Sequence, residues 1–102
     1  MRIENEHGDY VVVETRGGRT VEVVDITVRS ERRKGSGTWL INHAISVVSR
    51  PETQQLYAIT RATNGIAIKF YIANGFTVIS RLDAFYQDQT ACGDAIVYGR
   101  LI

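Results

Sequence analysis

Residues 60–76 read TRATNGIAIKFYIANGF. Asn64 is a residue type that caps helix starts, an apolar run follows it, and Gly75 suits the left-handed position just past a helix end. The stretch predicts a short helix, Gly65 to Asn74, with Phe70 and Tyr71 in its body. Just before it, Gln55 to Arg61 (QLYAITR) is β-rich and predicts a strand. Just after it, Phe76 to Arg81 predicts another.

Upstream, Gly37, Leu40, Ile41, Ala44, Ile45 and Val48 recur at spacings of three and four, the stripe of a half-buried helix over Ser36 to Arg50. Pro51 follows its last residue and marks a boundary. Earlier still the period is two. Tyr10 to Thr15 and Thr20 to Val28 are β-rich runs on either side of Arg16-Gly17-Gly18-Arg19, a hairpin signal. Arg2 to Glu6 predicts a short edge strand before a turn at His7-Gly8-Asp9. The chain closes with a longer loop through Phe85-Tyr86 and a strand over Ala95 to Ile102. The predicted order is β-β-β-α-β-α-β-β in one domain over residues 1–102. That is a mixed α/β (α+β) sheet, neither doubly wound nor a sandwich.

Composition narrows the function classes. The 102 residues hold 12 Lys and Arg against 11 Asp and Glu, a net charge of +1. A dedicated nucleic-acid binder would carry a strongly basic face, so no nucleic-acid partner is expected. No apolar run is long enough to span a bilayer, and MRIENEHGDY lacks the apolar core of a signal peptide. The expectation is a cytoplasmic protein away from membranes. The single Cys92 forms no internal disulfide and, with His7 and His43 remote from it in sequence, makes no ligand-like spacing, so no metal is expected. His43 falls mid-helix, where a surface or packing role is the ordinary one.

The stretch RRKGSGT, residues 32–38, lies between the third strand and the first helix. A loop that opens a helix presents unpaired backbone N–H groups at the positive end of the helix dipole. Gly35 and Gly37 let a phosphate approach that backbone without a Cβ in the way. Ser36 and Thr38 can add hydroxyl donors, and Arg32, Arg33 and Lys34 add charge. A Walker loop needs its lysine after the glycines, and a dinucleotide fingerprint needs glycine where Leu40 stands. What remains is Arg-x-x-Gly-x-Gly at Arg32, Gly35 and Gly37.

Taken with Asn64, Ala67, Phe70-Tyr71 and Gly75-Phe76, that motif resembles the GNAT superfamily of N-acetyltransferases over about residues 10–102. Within it, Arg61-Ala62-Thr63-Asn64, Ala84-Phe85-Tyr86 and Asp94-Ala95-Ile96-Val97 look like parts of the ribosomal-protein alanine N-acetyltransferases. The resemblance implies acetyl-CoA as co-substrate and an amine as acceptor. It implies that Ile26, Thr27 and Val28 bind the pantetheine arm and thioester carbonyl through their backbone. It implies that Arg33 to Thr38 wrap the pyrophosphate, with Arg32, Arg33 and Lys34 supplementing it. The matching helix residues Ala67 and Phe70 line the cofactor side, and Asn64 orients the cofactor arm or simply caps its helix.

Tyr71 stands at the family's general-acid position. A phenol, ordinarily near pKa 10, suits donating a proton to a departing thiolate, although an aromatic on an apolar helix is otherwise a core residue. The Val28 N–H is the candidate donor to the oxyanion. Where the nearest acetylators carry a glutamate base, this chain has Ile59. Glu22 and Asp25 on the preceding strand are the candidate bases, and strict alternation places them on opposite faces; a water relay or a neutral amine is the other route. Tyr86 is the candidate acceptor-flanking residue. The family's first strand and two helices have no counterpart in this sequence, which implies a shortened fold and favours a homodimer. The rival reading is a GNAT-fold module that binds coenzyme A or a protein without transferring anything.

Overall fold

The structure, a computed structural model, describes residues 1–28, 35–48, 53–87 and 93–102. The elements follow the order predicted: β1 (Arg2–Glu4), β2 (Tyr10–Arg16), β3 (Thr20–Thr27), α1 (Ser36–Val48), β4 (Gln55–Arg61), α2 (Gly65–Ala73), β5 (Thr77–Leu82) and β6 (Ala95–Leu101). The six strands form one sheet in the order β1-β2-β3-β4-β6-β5. By contact density the chain has two compact units, Met1–Leu56 with Leu101–Ile102, and Tyr57–Arg100.

In the first unit β1, β2 and β3 form an antiparallel meander. Gly17 and Gly18, with φ of 66° and 82°, make the turn between β2 and β3. With Arg19 they make a three-residue loop between the paired Arg16 and Thr20, and glycine supplies the positive φ at two of its positions without a Cβ penalty. Val11, Val13, Val21 and Val23 are buried on the sheet, and Leu40, Ile41 and Ala44 are buried on α1. Each buried side chain of Val or Leu size contributes about 1.5–3 kcal/mol, which is why the three-and-four stripe of α1 settles inward.

In the second unit, α2 is bounded by its own sequence. Asn64 Oδ1 accepts the Ala67 N–H at 3.1 Å, the N-cap bond that the residue type predicts. At the other end the Phe76 N–H reaches the Tyr71 carbonyl at 3.0 Å and the Gly75 N–H reaches that of Ile72 at 3.2 Å. That bond pair is a Schellman stop, and its usual apolar clasp is present as the Tyr71 and Phe76 rings, 5.0 Å apart. Arg100 adds a cation to the helix end, donating to the Asn74 carbonyl at 2.9 Å. Phe76 thus belongs to the stop, and β5 begins at Thr77, one residue later than the sequence predicts.

The core of this unit is aromatic. Tyr71 stacks on Tyr98 at 5.1 Å and meets Phe70 edge-on at 5.2 Å. The Tyr98 hydroxyl lies 3.1 Å from Thr60 Oγ1, so this fully buried phenol has its polar partner. β5 differs from the other long strands. It lies at the end of the sheet order, and its first five residues are exposed, Val78 at 55% and Ile79 at 53%.

Candidate functional site

The mouth of α1 is built by the first unit alone. Gly35 has φ +88°, a conformation that L side chains rarely adopt, and among the described residues a Cβ built there meets nothing within 4 Å. The Trp39 N–H closes the first turn on the Gly35 carbonyl at 2.8 Å. The amides ahead of it lack intrahelical acceptors by the geometry of a helix start, and they sit at the positive end of a 13-residue helix. Gly37 is buried and Thr38 is exposed. Free first-turn N–H groups and a favourable dipole together fit an anion such as a diphosphate. Arg32, Arg33 and Lys34 lie outside the described residues, as do Pro51 and Cys92.

The hydroxyl of Ser36 departs from the sequence reading. It donates to Asp9 Oδ2 at 2.7 Å and accepts from Asn5 Nδ2 at 2.9 Å. A hydroxyl has one hydrogen, so while it is given to Asp9 it does not serve a phosphate. Asn5 also holds the β1–β2 turn, its Oδ1 accepting the N–H groups of His7 at 2.9 Å and Asp9 at 3.1 Å. The sequence places Asp9 in a turn and Asn5 in the edge strand, but β1 ends at Glu4 and Asn5 instead holds that turn. Beside this network a groove of about 530 Å³ is lined by Glu4, Asn5, Glu6, His7, Gly35, Ser36 and Trp39. The Trp39 ring stacks on His43 at 4.9 Å, which gives His43 the surface packing role expected of it.

Strand β3 corrects the placement of the two acids. Val13 pairs with Val23 but Val12 pairs with Asp25, so Val24 is an extra residue bulged out of the ladder. Cross-strand partners share a face, and one inserted residue inverts the alternation beyond it. Asp25, opposite Val12, therefore lies on the same face as Glu22, opposite Glu14. The two acids differ in partners instead. Glu22 accepts from Arg16 Nε at 3.0 Å, whereas Asp25 is exposed. Ile26 and Thr27 are half-buried and Val28 is exposed at the end of the strand.

In the second unit Ala67 and Phe70 are half-buried and Tyr71 is 4% exposed, its ring held by Phe70, Phe76 and Tyr98. Ile59 is half-buried on β4. Tyr86 is half-buried, with the Arg61 guanidinium carbon 4.2 Å from its ring centroid and Phe85 edge-on at 5.0 Å. Its N–H donates to the Gly93 carbonyl at 2.8 Å, and a Cβ on Gly93 would run into the Tyr86 carbonyl oxygen. Asp94 secures the same loop, accepting from the Ala84 N–H at 2.9 Å and Arg81 Nη2 at 2.7 Å.

Those partners give a pH dependence. The Ala84 N–H, and then the Arg81 guanidinium, hold the Asp94 carboxyl below its ordinary value of 3.8. The unfolded chain takes up this proton at higher pH than the folded one. The clasp is therefore fully stabilising above the ordinary value and is lost as pH falls through the depressed one. In melts between about pH 5 and pH 2, Asp94→Asn should lose less stability than the native protein, having already lost the ionic part. Parallel acid profiles would show that Asp94 does not hold the loop.

Among the described residues no group of three or more His, Cys, Asp or Glu could hold a metal ion, and no helix is long and apolar enough to cross a membrane. Residues 4–76 match the sequence model of the acetyltransferase (GNAT) family. No curated protein matches the chain by sequence. Among solved structures, the ribosomal-protein-S18-alanine N-acetyltransferase of Escherichia coli superposes with TM-score 0.77 at 22% identity, over 98% of this chain and 65% of its own. A GNAT family acetyltransferase from Elizabethkingia anophelis, solved with acetyl-CoA bound, gives TM-score 0.80 at 18% identity, over 92% and 68%. Nourseothricin acetyltransferase gives TM-score 0.80 at 28% identity, over 96% and 61%. The chain spans 61% to 68% of the length of these three relatives.

Proposed function

The chain belongs to the acetyltransferase (GNAT) family, and from that premise we propose that it moves the acetyl group of acetyl-CoA to a primary amine, either a small amine or that of a peptide or protein. The observation that carries this reading is the mouth of α1, where a left-handed Gly35, with no described residue within 4 Å of a Cβ built on it, leads into the first-turn amides. There the amides of Gly35 to Thr38 hold the diphosphate, and Arg32, Arg33 and Lys34 add charge around it. The backbone of Ile26, Thr27 and Val28 takes the pantetheine arm. Asn64 keeps its Oδ1 for the cap and offers that arm its amide hydrogens.

The reaction forms a bond from the amine nitrogen to the acetyl carbon and breaks the carbon–sulfur bond. The Val28 N–H stabilises the oxygen as it gains charge. Tyr71 gives its phenolic proton to the leaving thiolate, and the amine loses one proton. Asp25 is the candidate to receive it, directly or through water, because the Glu22 carboxylate is held by Arg16. Tyr86, braced by Arg61, flanks the acceptor.

Free-thiol release from acetyl-CoA, followed across a panel of small amines and peptides, tests the proposal. At least one amine should accelerate release in proportion to enzyme. Binding of the thioester with no acceleration by any amine would leave the chain a coenzyme-A-binding module, a result that Ile59 in place of a glutamate favours.

The active form is a homodimer. The support is the apolar exposure of the second unit: Val78 and Ile79 on an edge strand, with Ile66 at 87% and Ile72 at 49% on α2. An unpaired apolar edge is a template for pairing with another chain. Sedimentation should find a dimer that a Val78→Lys, Ile79→Lys double variant dissociates. A monomeric native protein at micromolar concentration would dismiss the dimer.

A further inference from the structure

We propose that Asp9 is a positioning residue for cofactor binding: its buried carboxylate holds Ser36, and so sets the direction of the amides between Gly35 and Thr38. This step rests on the acetyl-transfer reading and assigns it a residue outside the motif.

Asp9 is 0% exposed, and it is the one charged residue among the buried ones described. A buried carboxylate is costly unless its oxygens are hydrogen-bonded, so its partners define its place. Oδ2 takes the Ser36 hydroxyl at 2.7 Å and lies 3.2 Å from Asn5 Nδ2, while Asn5 bonds the same hydroxyl oxygen at 2.9 Å. The three side chains close a triangle between the β1–β2 turn and the first residue of α1. Asn5 fixes the turn end of the triangle through the Asp9 N–H at 3.1 Å.

Ser36 sits between the two glycines whose amides meet the diphosphate. Glycines on both sides leave that backbone with few other constraints. Drawing the Ser36 side chain back to Asp9 ties the loop at its middle residue. It also turns the hydroxyl hydrogen away, so the phosphate is held by main chain rather than by Ser36. A carboxylate at a helix N-terminus is itself favourable and could act as a cap alone, with stability as its only effect. The positioning role differs in its signature. Asp9 and Ser36 then act on cofactor affinity as one unit, and removing both costs no more than removing either.

The test is a double-mutant cycle on coenzyme A affinity, by calorimetry at a temperature where circular dichroism shows each variant folded. Asp9→Ala and Ser36→Ala should each weaken binding by about tenfold, and the double variant by the same factor. Asp9→Asn keeps an acceptor for the hydroxyl and should recover most of the loss. Should Asp9→Ala not fold, Asp9→Leu, which also offers the hydroxyl no acceptor, completes the cycle with Ser36→Ala. Native-like affinity in folded Asp9→Ala (or Asp9→Leu) or in Ser36→Ala overturns the proposal. So do additive losses, which would mean that Ser36 contacts the phosphate on its own. A native protein that binds no coenzyme A removes the acetyl-transfer reading itself and this step with it. Equal binding by the native protein and the Asp9→Ala and Ser36→Ala variants removes this step alone.

Discussion

Tyr71→Phe should lower acetyl transfer by about 10²- to 10⁴-fold while leaving cofactor affinity within about threefold. The argument starts from packing. Tyr71 is buried to 4% exposure and its ring touches three others, Phe70, Phe76 and Tyr98. Phenylalanine preserves every one of those ring contacts and removes only an oxygen. If Tyr71 serves only the core, the variant melts and turns over almost as the native protein does, apart from about 1 kcal/mol for a lost hydroxyl hydrogen bond. If the phenol protonates the thiolate, the leaving group departs unassisted, and the loss appears in kcat. Turnover, calorimetric coenzyme A affinity and melting temperature, measured on the same preparation, separate the two. Tyr71→Ala supplies the contrast: it empties an aromatic core site at about 3–5 kcal/mol, and every readout falls together. A Phe variant with undiminished kcat would return Tyr71 to the core and leave thiolate protonation to solvent.

The parts of the molecule legible in the sequence are those fixed by neighbours along the chain. Asn64 caps α2 through a residue three positions away, and Gly75 stops it through bonds to the turn just before. Gly17-Gly18 turns the hairpin with its own φ values. Local chemistry of this kind needs no knowledge of the rest of the fold. Register is different. The bulge at Val24 depends on which residues of β2 lie opposite, and VEVVDITV alternates well enough to hide it. Glu22 and Asp25 therefore come to one face where the period-two rule separates them. Asp9 and Ser36 are 27 residues apart, and their contact arises only once the meander brings the β1–β2 turn to the helix mouth. The sequence shows His7-Gly8-Asp9 as a turn, leaves Asn5 in the strand before it, and shows GSG as an anion loop, with nothing to say that the first steadies the second. The exposure of β5 is hidden for the same reason. Val78 and Ile79 are apolar enough to predict a buried strand, and only the sheet order makes the strand an edge.

The second large effect concerns Gly35. Saturating the native protein with acetyl-CoA at a hundred times its dissociation constant should add about 2.7 kcal/mol of stability, by mass action on the folded state alone. For a chain of this length that is a rise of roughly 10–20 °C in melting temperature. Gly35→Val should abolish most of that rise, for two separable reasons. At φ +88° a β-branched residue is strained by about 1–3 kcal/mol, so the unliganded variant already melts lower. The added side chain then stands beside the first-turn amides, where a bound phosphate oxygen needs van der Waals clearance. Strain alone would lower the melting temperature and leave the cofactor-induced rise intact, because both states of the binding equilibrium carry the same penalty. Loss of the rise isolates the occupied space. Gly17→Val provides the control, since it has a comparable φ of +66° and belongs to a β-hairpin turn with no part in binding. It should melt lower yet keep the full rise. A Gly35→Val protein that gains as much from acetyl-CoA as the native one would mean that the diphosphate rests elsewhere, and the mouth of α1 would then be only the start of a helix.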